Sequence, residues 1–107
     1  MAEANTKLSE EEAAAMLAAL DNWSIVGGKL HKEFKFADFS DAMSFIIEVA
    51  EVAESLNHHP EIFNVYSRVT LDLETHDVGG LSRLDFAFAK AVDQLPPSQK
   101  SKAGITG

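Results

Sequence analysis

Apolar positions change period several times along the chain, and each change marks an element. Ala13, Met16, Leu17 and Leu20 recur at helical spacing behind Ser9-Glu10-Glu11-Glu12, where Ser9 and Glu12 stand as a capping-box pair. This predicts a first helix stopping near Asp21-Asn22. Trp23 to Val26 suits a short strand, and Gly27-Gly28 is a two-residue hairpin signal. The return strand, Leu30 to Phe36, puts Leu30, Phe34 and Phe36 on one face and His31, Glu33 and Lys35 on the other.

Asp38 or Ser40 can cap a second helix. Its main apolar stripe reads Phe39, Ala42, Met43, Ile46, Val49, Ala50 and Ala53, broadened by Phe45, Ile47 and Val52. So wide a stripe predicts a second buried surface, against another subunit. Asn57 suits the left-handed end of that helix, and Pro60 prevents its resumption. From Phe63 to Thr75 the chain alternates, with Phe63, Val65, Val69, Leu71 and Leu73 pointing one way. That pattern fits one long strand or a hairpin broken near Ser67-Arg68. Gly79-Gly80 closes the strand region. Ser82 with Asp85 three residues on predicts the cap of a third helix, whose core face is Leu84, Phe88, Ala91, Val92 and Leu95. Pro96-Pro97 stops it. The order implies an α+β domain, an antiparallel sheet with helices on one face. Residues 1–8 are expected to be a flexible lead, 9–95 one domain and 96–107 a disordered tail.

At 107 residues the chain suits one domain with a real core. The net charge of −8, with nine scattered Lys and Arg, argues against a nucleic-acid partner. No apolar run approaches a membrane span, and the acidic, polar start lacks the features of a secretory signal. Without cysteine there is no disulfide framework, which suits a reducing compartment; a cytoplasmic location is expected.

The chemistry concentrates in Glu54-Ser55-Leu56-Asn57-His58-His59-Pro60, with His76 and Asp85 downstream. Imidazole titrates near neutrality, so histidines without cysteine point first to proton transfer. His58 and His59, adjacent in an extended segment, aim to opposite sides. Alone, such a pair is as readily a polar loop, and His76 a strand-end surface residue. Glu54, four residues before His58, can set a carboxylate beside an imidazole. Asp85 can cap a helix and still serve a site. Trp23 could stack on a planar heterocycle or anchor the core, and His31 reads as surface. Metal ligation is disfavoured: there is no Cys, no His-x-x-x-His and no Glu-x-x-His. The two Gly-Gly pairs are turns and lack a phosphate-loop fingerprint.

Glu54, His58-His59-Pro60, Tyr66, His76 and Asp85 together resemble the signature of the pterin-4a-carbinolamine dehydratases. Trp23 ahead of a Gly-Gly hairpin, and Phe36-x-x-Phe39 entering a helix, extend the likeness over about residues 8–95. The resemblance implies an α-β-β-α-β-β-α fold with a four-stranded antiparallel sheet, which makes Phe63–Thr75 a hairpin. It implies dehydration of 4a-hydroxytetrahydrobiopterin to quinonoid dihydropterin, recycling the cofactor of aromatic amino-acid hydroxylases, with no metal or cofactor. It makes His58 and His76 the acid–base pair and His59 a pterin-binding donor beside Pro60. Glu54 and Asp85 would orient the imidazoles, Trp23 would line the pocket, and Tyr66 would be a pocket wall or structural residue. It further implies a homodimer or homotetramer. Some family members also bind a transcription factor and stabilise its dimer, which gives a dimerisation cofactor as an alternative; a pterin-binding protein without turnover is a third, disfavoured by the intact histidine set.

Overall fold

A computed structural model describes residues 6–95 of the chain. The tail expected over 96–107, and residues 1–5 of the expected lead, lie outside the described residues. Of that lead, Leu8 is buried and its N–H donates to the Leu81 carbonyl at 2.8 Å, so the chain is tied down just before the first helix.

Three helices and four strands follow in the order α1 (Glu10–Leu17), β1 (Ser24–Val26), β2 (Lys29–Lys35), α2 (Phe39–Leu56), β3 (Glu61–Val65), β4 (Arg68–Leu73) and α3 (Arg83–Asp93). A single 3-10 turn, His76–Val78, separates β4 from α3. The sheet is antiparallel throughout, in the order β1-β2-β4-β3. This is the expected α+β architecture.

Local chemistry explains the boundaries. Ser9 Oγ accepts from Glu12 N while the Glu12 carboxylate accepts from Ser9 N, closing the capping box of α1. Asp38, not Ser40, caps α2 by accepting from Asp41 N at 2.8 Å. Gly27 and Gly28 both take positive φ (59° and 79°), as a two-residue turn matching strand twist requires.

The core lies between one sheet face and the helices. Leu30, Phe34, Val69, Leu71 and Leu73 face Ala42, Phe45, Val49, Ala53, Phe88 and Val92. Two expectations are corrected here. In α2 the buried stripe is Ala42, Phe45, Val49 and Ala53, whereas Phe39 and Ile47 are 48% and 60% exposed. Phe45 is the centre of the face: its ring packs between Phe34 and Phe36 at 4.6 and 5.0 Å. In α3, Phe86 and Ala89 join Phe88 and Val92 in burial, while Leu84, Ala91 and Leu95 are only partly covered.

Phe63 to Thr75 is a hairpin, and its turn reverses the expected facing of β3. The two-residue turn at Tyr66-Ser67 pairs Val65 with Arg68 and Phe63 with Thr70. Phe63 and Val65 therefore lie on the face away from the core and are exposed, while Val69, Leu71 and Leu73 are fully buried. One unbroken alternation cannot cross a turn that changes the parity. Tyr66 heads this turn at φ 50°, with its side chain 64% exposed. Asn64 Nδ2 braces the turn by donating to the carbonyls of Tyr66 and Arg68. Among the described residues no helix is long and apolar enough to cross a membrane.

Candidate functional site

Three local structures converge at the end of the sheet where α2 finishes and α3 begins. Asn57 takes the left-handed conformation (φ 50°, ψ 47°) that ends α2, and His58 N closes back on the Ala53 carbonyl at 3.0 Å. This closure turns the His58 ring inward, edge-on to Phe88 at 6.1 Å. Ser82 caps α3, and Asp85 at the third helical position answers it by accepting from Ser82 N at 3.0 Å. Thr75, just past β4, is held by bridging to Gly80, with Thr75 N donating to the Gly80 carbonyl at 2.8 Å.

Asp85 is the hub. It is fully buried, and a buried carboxylate persists only if its oxygens are satisfied. Oδ1 accepts from His58 Nε2 at 2.6 Å; Oδ2 accepts from Thr75 Oγ1 at 2.8 Å and from Ser82 N. Thr75 has one hydroxyl proton and gives it to Asp85, so the 2.8 Å contact with Ser82 Oγ is a donation from Ser82 to Thr75. Ser82 Oγ in turn accepts from Leu84 N at 3.2 Å. Every group in this network has a defined direction.

That direction fixes a tautomer. In the neutral imidazole, the proton that meets an acceptor-only carboxylate sits on Nε2, leaving the lone pair on Nδ1. No buried side-chain nitrogen or oxygen lacks a partner among the described residues, and Nδ1 has none. His58 is 8% exposed, so Nδ1 is a polar edge through which this ring reaches the surface. The arrangement is a buried carboxylate, an oriented imidazole and an outward-facing base.

The other residues singled out from sequence are placed differently. Glu54 reaches His59, not His58: Glu54 Oε2 accepts from His59 Nε2 at 2.8 Å on the open surface. The left-handed turn at Asn57 sends His58 inward and leaves His59 on the helix side. Pro60 follows, half-buried, at the entry to β3. His76 opens the 3-10 turn one residue beyond Thr75, its side chain 82% exposed and Nδ1 3.6 Å from Glu74 Oε2. Trp23 is buried in the core, edge-on to Phe34, and its Nε1 donates to Asp93 Oδ2 at 3.0 Å. Asp93 ends α3, eight residues or about 12 Å along the helix axis from Asp85. His31 pairs across strands with Asp72 at 2.8 Å on the outer sheet face.

Thr75 and Glu74 are the site neighbours that sequence reasoning passed over. Thr75 carried a signal: it continues the buried series Leu71, Leu73, so a hydroxyl there points into the core and needs a partner. Nothing in the pattern marks Glu74. Among the described residues no group of three or more His, Asp or Glu side chains is placed to hold a metal ion.

Comparison with known proteins agrees on one family. The family model described as pterin 4 alpha carbinolamine dehydratase matches residues 6–95. A Solibacter usitatus protein, provisionally named a pterin-4-alpha-carbinolamine dehydratase, is 52% identical over 90 residues, covering 84% of this chain and 95% of its own. A crystal structure from Brucella melitensis, described as a transcriptional coactivator/pterin dehydratase, superposes with a TM-score of 0.78 at 42% identity, covering 82% of this chain and 96% of that one. A pterin dehydratase-like protein described as a RuBisCO assembly factor in the alpha-carboxysome matches with a TM-score of 0.58 at 26% identity, over 68% of this chain and 87% of its own.

Proposed function

Since the chain belongs to the pterin-4a-carbinolamine dehydratase family, a family of hydro-lyases, we propose that it dehydrates a 4a-hydroxytetrahydropterin by histidine acid–base catalysis. The observation that carries this reading is the buried His58–Asp85 pair, which leaves His58 Nδ1 as an outward base. The reaction breaks the C–O bond at the 4a carbon, and the hydroxyl leaves as water once protonated. The proton on the adjacent ring nitrogen is removed, and its electron pair forms the C=N bond of the quinonoid dihydropterin. His58 Nδ1 suits the proton removal. His76, exposed and next to Glu74, suits protonation of the leaving hydroxyl. His59, oriented by Glu54, supplies a hydrogen bond to the ring, and Pro60 stiffens the segment that presents it. Trp23, buried and tied to Asp93, suits a core anchor better than a pocket wall. The step needs no redox partner, because substrate and product differ by one water.

The substrate is the carbinolamine that aromatic amino-acid hydroxylases release, so the enzyme returns their cofactor to use. The test is disappearance of chemically generated 4a-hydroxytetrahydropterin, after subtracting its spontaneous dehydration. Acceleration by the wild-type chain, lost in His58→Ala and His76→Ala while the fold is kept, is the expected result. Absence of wild-type acceleration overturns the proposal.

Phe39 and Ile47 favour a second, compatible reading. Large apolar side chains left open on α2 suit burial against another chain, in a homodimer or homotetramer or against a helix of a transcription factor. Sedimentation of Ile47→Glu, expected to shift toward a smaller species, checks it. His58→Ala should leave such association intact.

A further inference from the structure

His58 is fixed by a buried carboxylate, whereas the His76 side chain is exposed. The placement of His76 therefore depends on the backbone that carries it, the short loop from Thr75 to Gly80. That loop closes on itself. Thr75 N donates to the Gly80 carbonyl at 2.8 Å, and Val78 N and Gly79 N both donate to the Thr75 carbonyl at 3.1 Å. Gly79 takes the left-handed conformation (φ 68°) that ends the 3-10 turn. The return bond, from Gly80 N to the Thr75 carbonyl, is long at 3.4 Å, so the loop is weakest where Gly80 closes it.

The chain before α1 lies against that weak end. Leu8 N donates to the Leu81 carbonyl at 2.8 Å, one residue beyond Gly80, and the Leu8 side chain is buried in the core. Lys7 lays its methylene stem over Gly80: a Cβ there would stand 2.9 Å from Lys7 Cε and 3.4 Å from both Cδ and Cγ. Three successive methylenes at such distances mean that the stem runs along the glycine and covers it. Immediately afterwards the Ser9–Glu12 box fixes the direction in which the chain leaves Leu8. Residues 7 and 8 are thus anchored by the core below and by the box ahead, and they press on Gly80 and Leu81.

We infer that Lys7 and Leu8 form a strap that positions the His76 loop, so that the segment before α1 sets where the acid of the proposed dehydration stands. The inference rests on the dehydratase reading, which gives His76 that task. Lys7 and Leu8 are positioning residues: they act through Gly80 and Leu81. A general acid must come within hydrogen-bond reach of the leaving oxygen, and displacement by about 1 Å can cost up to a hundredfold in rate. A surface loop with few buried contacts opens readily unless something outside it holds it shut.

Two variants loosen the strap. Leu8→Ala empties its buried anchor, and Lys7→Ala removes the stem from an exposed position where folding is not at stake. With chemically generated 4a-hydroxytetrahydropterin as substrate, kcat should fall about tenfold in Leu8→Ala and about threefold in Lys7→Ala, with KM within about twofold of wild type. Leu8→Met and Lys7→Met, which restore the apolar bulk, should recover most of the rate. The solvent deuterium isotope effect on kcat should rise in both alanine variants, because proton donation by a displaced acid is slower. A smaller folded fraction would lower kcat and leave that isotope effect alone.

Amide hydrogen exchange reads the loop without reference to catalysis. The amides of Thr75, Val78 and Gly79 should exchange faster in both alanine variants, while the ladder between β2 and β4 keeps its protection. Unchanged exchange at those three amides overturns the inference, whatever happens to the rates. Faster exchange with wild-type kcat and isotope effect overturns it as well and leaves the dehydratase standing. Absence of turnover by the wild-type chain removes the dehydratase reading and the inference together, an outcome told apart from the other two by the wild-type rate itself.

Discussion

The chain writes the same helix-start device twice and uses it for opposite ends. At α1, Ser9 and Glu12 satisfy each other's backbone on the open surface, and Glu12 is exposed. At α3, Ser82 and Asp85 make the same reciprocal bonds, but Asp85 is fully buried and also holds His58 and Thr75. One box ends a helix in water; the other turns its carboxylate into the anchor of an imidazole. Identical four-residue logic thus says where a helix begins but not whether its acidic member has a second task. Burial decides, and burial comes from what α2 and β4 bring alongside.

The largest expected effect comes from breaking the buried box. Asp85→Ala strips the partner from His58 Nε2, Thr75 Oγ1 and Ser82 N at once and should cost about 3 kcal/mol or more of stability, measured by urea unfolding. A loss as small as that of an exposed cap would mean that the burial carries no energy. Asp85→Asn sharpens the point while keeping the shape. Thr75 and Ser82 both donate to the Oδ2 side, so the amide oxygen should turn to them and its NH2 to His58. His58 Nε2 must then accept, its proton moves to Nδ1, and the outward lone pair disappears. Nitrogen NMR of His58 should show the switched tautomer, with dehydration slowed by roughly a hundredfold or more. An unchanged tautomer with full activity would contradict the orienting role of Asp85.

Thr75→Val is the next effect down. It removes one donor to Asp85 and the acceptor for Ser82 Oγ, but the carboxylate keeps two other partners. About 1–2 kcal/mol should be lost, with the His58 tautomer preserved. Tm and the same NMR signal check both halves.

These contrasts also show what was legible in the residues. Element order, both boxes, the Gly27-Gly28 turn and the left-handed end at Asn57 are local signals, and each stands where its chemistry puts it. Facing was less legible wherever a non-local partner or a turn decides it. Phe63 and Val65 look like core by alternation but face outward, because Tyr66-Ser67 resets the parity. Phe45 looked peripheral to its stripe and is its centre, because two phenylalanines of β2 and its C-terminal edge enclose it. Glu54 lies one turn from His58 in sequence yet meets His59, because a single left-handed residue redirects the chain. The pairing of His58 with Asp85, 27 residues apart, has no local signal; only the family resemblance grouped them.

The smallest effect lies in the exposed box, where Glu12 can be compared with its neutral isostere. Hydrogen bonding from the Ser9 backbone, then from the Ser9 side chain, holds the Glu12 carboxyl below its ordinary value of 4.5. A carboxyl that ionises more readily when folded stabilises the fold above its unfolded pKa, and that contribution is lost as pH falls through the lower folded value. Glutamine keeps the reciprocal hydrogen bonds of the box and removes only the charge. Glu12→Gln should therefore lower Tm slightly at pH 7, with the wild-type advantage fading between about pH 5 and pH 3, and solvent and salt should shrink it further. A gap that persists unchanged at pH 3 would mean that the difference comes from shape, and that charge matters at neither box in the way their common pattern suggests.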